Sequence, residues 1–143
     1  MSLFVIDANV AVKWFLAEST EPLRREALAL LDKQSRHEID FVVPDLFWVE
    51  FANVVWKAAR TGRMTKKSAE ASLASLDRLD FPTVSSRTLI HTAFQIATTF
   101  ERTLYDSLYV ALAVQSKAQL ITADERLANA LALHFPVKSL RAF

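Results

Sequence analysis

Alternation of strands and helices predicts an α/β protein with three layers, α/β/α, around a central parallel sheet. Three observations lead there. Leu3 to Ile6, Ile39 to Val43 and Gln119 to Thr122 are short, largely apolar runs, as strands covered on both faces require. Between them, apolar residues recur at helical spacing. A helical stretch separates each predicted strand from the next, which is the crossover that parallel pairing needs.

The elements follow in order. Leu3 to Ile6 is a buried strand, and Val10 to Leu16 a helix. Thr20-Glu21-Pro22 reads as the next helix start, with Thr20 as cap and Pro22 in the first turn. Leu23, Ala27, Leu30 and Leu31 then carry that helix to Arg36. Ile39 to Val43 is a strand that Pro44 stops. Pro44 also begins a helix to Arg60, with Gly62 as its exit. Thr65 to Leu79 is a helix with Ala69, Leu73 and Leu76 on one face. Phe81 to Ser85 is a short strand, and Ser86 caps a helix carrying Leu89, Ala93, Ile96 and Ala97. Thr103 to Ser116 is a very apolar helix. Gln119 to Thr122 is a strand, Ala123 to Leu133 a helix, and Pro136 to Leu140 a last strand.

Composition narrows the function classes. The 143 residues suit one domain, 1–143, with a sizeable core, and 52% of them are apolar. A net charge of +1 gives no global attraction to nucleic acid, so any such binding needs a local basic patch. The lack of cysteine removes disulfides, thiolate nucleophiles and zinc–thiolate sites, and fits a cytoplasmic location. The N-terminus has no basic segment before its apolar residues, and Asp7 interrupts them, so no signal peptide is expected. No charge-free run approaches the ~18 residues that span a bilayer. Gly62 is the single glycine, which excludes glycine-rich phosphate loops.

The chemistry lies in four carboxylates set in core-type sequence. Asp7 follows Leu3-Phe4-Val5-Ile6, and Glu50 sits within Phe47-Trp48-Val49-Glu50-Phe51. Asp106 opens a long apolar run, and Asp124 follows Leu120-Ile121-Thr122-Ala123. A buried carboxylate is costly without a cation or hydrogen bonds. Four of them point to convergence on a shared hard divalent metal. Structural roles compete. Asp7 is a natural helix cap. Thr103-Leu104-Tyr105-Asp106 matches a capping box. In Thr122-Ala123-Asp124-Glu125, Glu125 is expected to fill that role and leave Asp124 without a structural duty. Glu50, Asn53, Lys57 and Arg60 form a narrow polar stripe on an otherwise apolar helix, which predicts a mostly buried helix whose stripe faces a groove.

Lys57, Arg60, Arg63, Lys66 and Lys67 are uninterrupted by acids and suit a phosphate backbone, with Arg24 and Arg25 as possible additions. A solvated helix–turn–helix tip is the competing reading. His37, His91 and His134 show no ligand spacing, and no serine stands in a nucleophile-elbow context. Trp14, Phe15, Phe47, Trp48 and Trp56 read as core or subunit contacts.

Four stretches taken in order resemble the PIN-domain ribonucleases, specifically the VapC-like toxins of toxin–antitoxin pairs. They are Val5-Ile6-Asp7-Ala8-Asn9, Pro44-Asp45-Leu46 through Glu50 and Asn53, Tyr105-Asp106-Ser107-Leu108-Tyr109-Val110-Ala111-Leu112-Ala113, and Leu120-Ile121-Thr122-Ala123-Asp124-Glu125-Arg126-Leu127. The resemblance implies adjacent first and fourth strands, which brings Asp7 and Asp124 together. It implies Mg²⁺- or Mn²⁺-dependent cleavage of RNA to 5′-phosphate and 3′-hydroxyl ends. Asp7, Glu50, Asp106 and Asp124 are then the metal-binding acids, and Asn9 and Thr122 their supporting groups. A homodimer and a cognate antitoxin partner are implied as well. It says least about the segment from Ala58 to Ser85.

Crowded carboxylates predict raised, coupled pKa values that metal relieves. A haloacid-dehalogenase-type phosphatase needs a second Asp two residues after the first, where Asn9 stands. A receiver domain needs paired acids after the first strand, and none is present. A non-catalytic RNA- or partner-binding module is the remaining alternative.

Overall fold

The structure, a computed structural model, describes residues 2–16 and 21–143. Five parallel strands form one sheet: β1 (Ser2–Ile6), β2 (Ile39–Pro44), β3 (Thr83–Val84), β4 (Gln119–Thr122) and β5 (Val137–Ser139). Their order is β3-β2-β1-β4-β5. Helices flank the sheet: α1 (Ala8–Val12), α2 (Arg24–Ser35), α3 (Leu46–Arg60), α4 (Lys66–Leu79), α5 (Ile90–Phe100), α6 (Leu104–Gln115) and α7 (Glu125–Leu131). The expected α/β/α arrangement around a parallel sheet is borne out.

The strand order places the site. From β1 the chain builds outward through β2 and β3, then returns to the other side of β1 with β4. The order therefore reverses between β1 and β4, and the carboxyl ends of such strands leave a crevice for ligands. Ile6 lies opposite Ile121 in this pairing, so Asp7 and Thr122 emerge side by side at its end.

Helix α6 lies against β1, β2 and β4, and α5 covers it. Ser107 to Ala113 are all buried, which is why that segment reads as apolar without a periodic face. Trp14 just after α1, Phe41 of β2, Phe47 of α3 and Phe81 just before β3 form a connected aromatic cluster, and such pairs add about 0.5–1.5 kcal/mol each beyond area burial. The Trp14 Nε1–H donates to the Ala27 carbonyl at 2.8 Å and fastens the exit of α1 to α2.

Several boundaries follow local chemistry. Gly62, at φ 81°, takes the left-handed backbone that ends α3. Thr65 and Thr103 cap α4 and α6 by accepting from the Ser68 and Asp106 N–H groups. Others differ from expectation. The proposed cap Thr20 lies outside the described residues, and α2 starts at Arg24 behind a left-handed Leu23 (φ 59°), so Pro22 precedes the helix. α1 starts at Ala8 because Asp7 caps it. Ser86 is not a cap. It opens a 3-10 turn, Ser86–Leu89, and its N–H and hydroxyl both donate to Asp45. α7 is shorter at both ends than the expected Ala123 to Leu133. Among the described residues, no helix is long and apolar enough to cross a membrane.

Candidate active site

Asp7 is buried and uses both carboxylate oxygens. Oδ1 accepts from the Val10 N–H at 3.0 Å, and Oδ2 accepts from the Thr122 hydroxyl at 2.6 Å. Burial pushes its pKa up from 3.8 to about 6, against those two hydrogen bonds and with help from the charges of Glu50 and Asp106. Thr122 is fully buried and serves a second acid's backbone, accepting from the Asp124 N–H at 3.0 Å.

Glu50 comes to the same place from α3. Its Oε1 accepts from the Tyr109 hydroxyl at 2.5 Å. Burial raises the Glu50 pKa, the Tyr109 bond opposes this, and the Asp106 charge adds to it. Tyr109 is itself held well above the ordinary phenol range, first by burial and then by Glu50. It is therefore a hydrogen-bond donor at every relevant pH. Asp106 is half-buried in the first turn of α6. Burial raises its pKa and the Asp124 charge adds to that, while the Thr103 hydrogen bond and Arg102 oppose. The expected upward shifts are found at these three acids, but burial outweighs mutual repulsion as their cause.

The four acids line one cavity of about 270 Å³ with Asn9, Asn53, Lys57 and Tyr109. They reach it from the ends of β1 and β4 and from α3 and α6, so residues far apart in the chain meet at the reversal point of the sheet. Among the described residues, no three His, Cys, Asp or Glu side chains stand close enough to form a ready metal cage. Both oxygens of Asp7 and one each of Glu50 and Asp124 accept hydrogen bonds from the protein.

Asp124 corrects the sequence expectation. Its Oδ1 accepts from the Arg126 and Leu127 N–H groups at 2.9 and 3.2 Å, so it is the cap of α7. Glu125 does no capping. It binds the Ser139 hydroxyl at 2.5 Å and lies 3.4 Å from Arg141 Nε. The side chain one residue earlier has the geometry to reach the free amides.

The polar stripe of α3 also reads differently in three dimensions. Glu50, Asn53 and Lys57 do line the cavity. The helix is less enclosed than its bulk suggested, because Val49 and Trp56 are 68% and 55% exposed. Arg60 stacks over the Trp56 ring at 4.8 Å instead of facing the acids. The other cations separate as well. Arg63 binds Glu21 Oε2 at 2.6 Å, and the exposed Lys66 lies 3.9 Å from Glu70. Lys67 is exposed at the start of α4, and neither it nor Lys66 lines the acid cavity. Arg24 Nε donates to the Leu16 carbonyl at 2.7 Å, and Arg25 is exposed.

Sequence reasoning missed Tyr109, Lys13 and Glu21. Tyr109 stands one helical turn beyond Asp106, the spacing that puts both on one face. Lys13 had no such signal. It is buried, and its Nζ donates to Glu21 Oε1 at 2.9 Å and to the Pro22 carbonyl at 2.7 Å. Burial alone would raise the Glu21 carboxyl, but hydrogen bonds from Lys13 and Arg63 hold it below the usual range.

Relatives share this architecture. Ribonuclease VapC3 of Pyrobaculum aerophilum is 29% identical over 127 residues, covering 87% of this chain and 92% of its own length. The crystal structure of PAE2754 from the same organism superposes with a TM-score of 0.72 at 21% identity, over 99% of this chain and 85% of that one. A toxin–antitoxin complex from Klebsiella pneumoniae gives a TM-score of 0.59 at 18% identity, over 98% of both chains. The sequence matches the PIN domain family across residues 4–131, a span that includes the reversal point between β1 and β4 and all four acids, and the chain belongs to that family.

Proposed function

We propose that this chain is a divalent-metal-dependent endoribonuclease, the toxin of a toxin–antitoxin pair, acting in the cytoplasm as a homodimer held in check by its antitoxin. The observation that carries the reading is the cavity where Asp7, Glu50, Asp106 and Asp124 meet. The likeness to a ribonuclease and to a toxin–antitoxin complex supports the substrate and the partner.

Four carboxylates and no thiol or imidazole make a hard-oxygen donor set, which suits Mg²⁺ or Mn²⁺. These acids would hold the ion, with some side-chain rotation to gather their oxygens. When bound, the metal supplies a water of lowered pKa and neutralises charge at the phosphate. The chain does the rest. The Thr122 hydroxyl and the α1 amide hold Asp7 in place, and the Tyr109 phenol fixes Glu50. Lys57, in the cavity wall, offers a cation to the phosphate. Asn9 borders the same cavity as a supporting group.

The test is cleavage of RNA by wild-type protein and Asp7→Asn, with and without Mg²⁺, and mapping of the ends. Metal-dependent cleavage to 5′-phosphate and 3′-hydroxyl ends, lost in Asp7→Asn, is expected. Wild-type protein that binds RNA and cleaves none of it overturns the enzymatic reading in favour of a binding module.

A further inference from the structure

A second, larger cavity of about 550 Å³ adjoins the acid site, and Asn9, Val54, Lys57 and Asp124 belong to the walls of both. Its far side carries Lys13, Glu21 and Arg63. Lys13 and Arg63 share the Glu21 carboxylate, one cation on each oxygen, at 2.9 and 2.6 Å. The Lys13 and Glu21 side chains are each only 8% exposed, whereas that of Arg63 is 45% exposed.

Stability does not explain this arrangement. Desolvating an ammonium and a carboxylate costs several kcal/mol, and apolar residues of similar size often do as well or better. The charges are more informative as recognition groups. The Arg63 guanidinium is half in water and within reach of a ligand, while Lys13 keeps Glu21 paired. A phosphate matches the guanidinium fork as well as a carboxylate does. The exchange replaces one anion with another at the same donor.

We infer that this groove is a phosphate subsite for the RNA strand beside the scissile bond, and that Glu21 occupies Arg63 until an RNA phosphate displaces it. The inference rests on the nuclease reading above and adds to it a set of strand-positioning residues outside the acid cluster. Lys57, in the wall between the two cavities, extends the cationic track from Arg63 toward the acids.

The experiment is fluorescence anisotropy of an end-labelled single-stranded RNA oligonucleotide in EDTA, over a series of NaCl concentrations. Arg63→Gln is expected to weaken binding about tenfold and to lower the slope of log Kd against log salt by about 0.7, the loss of one single-strand phosphate contact. Glu21→Gln is expected to tighten binding about threefold at low salt, because it removes a competing anion. Thermal melting checks that both variants fold. Arg63 is at the surface, so Arg63→Gln carries the test if Glu21→Gln does not fold. Arg63→Gln with a Kd within about twofold of wild type and an unchanged slope overturns the subsite. So does a folded Glu21→Gln that binds RNA more weakly. Wild-type protein that neither binds nor cleaves RNA overturns the nuclease reading, and the subsite with it.

Discussion

The Thr122 hydroxyl donates to Asp7 Oδ2 at 2.6 Å across 115 positions of sequence, and Thr122 Oγ1 in turn accepts from the Asp124 N–H. One buried hydroxyl thus joins the two acids that leave β1 and β4. The bond favours ionised Asp7, in opposition to burial. Thr122→Val keeps the shape and removes both bonds. The Asp7 pKa is expected to rise further above about 6, so the acid limb of the cleavage profile moves to higher pH. Stability is expected to fall by about 1–3 kcal/mol, because the Asp124 amide loses its partner. Carboxyl-carbon NMR titration and denaturant melts read the two effects. An Asp7 pKa at or below the wild-type value refutes the assigned role of the hydroxyl.

Asp7 makes the metal-free protein pH-sensitive. Its folded-state pKa of about 6 exceeds the ordinary 3.8, so the folded chain holds this proton more tightly than the unfolded chain. Stability is therefore expected to fall as pH rises through that interval, and to level off above it, with an effect on the order of 2–3 kcal/mol. Asp7→Asn retains an acceptor for the α1 amide and removes the titration. It is expected to flatten the dependence and to be the more stable protein at neutral pH, while losing cleavage. Urea unfolding in EDTA from pH 4 to pH 8 provides the comparison.

Tyr109→Phe leaves a ring of the same shape in the core and frees Glu50. Loss of about tenfold in kcat is expected, the range for losing a positioned hydrogen bond of about 1.4 kcal/mol. Circular dichroism and KM should stay near wild type. Equal activity in the two proteins would mean that Glu50 needs no such support.

Metal binding should compete with protons. Near pH 6, Asp7 is partly protonated in the metal-free protein, so uptake of Mn²⁺ or Mg²⁺ is expected to release protons and to weaken as pH falls. Saturating metal is expected to raise Tm in wild type, by about 1.4 kcal/mol of stability for ion at ten times its Kd, and to leave Asp7→Asn nearly unchanged. Calorimetry in two buffers of different ionisation enthalpy counts the protons. A binding enthalpy independent of the buffer would show that none is released.

Local chemistry is legible in the sequence. Apolar runs, the Thr103 cap and the Gly62 exit each depend on neighbours within a helical turn, and each stands as read. The four acids were legible for the same reason, since each interrupts core-type sequence that has no use for a charge. Competition among nearby groups for the same amides was harder to read. Asp124 and Glu125 both had access to the start of α7, and backbone geometry gave it to Asp124. Likewise, the stripe on α3 predicted Glu50 and Asn53 at the cavity, but side-chain bulk could not reveal that Val49 and Trp56 face solvent.

The chain's own pattern settled the α/β class, singled out the four acids that line the cavity and left no thiol for chemistry, because these are properties of residue type and short spacing. Tertiary structure alone brought the Tyr109 phenol to Glu50, the Thr122 hydroxyl to Asp7 and the Arg63 guanidinium to Glu21. Each of those pairs depends on which elements become neighbours when the chain folds, and burial at those junctions then shifts how the acids titrate.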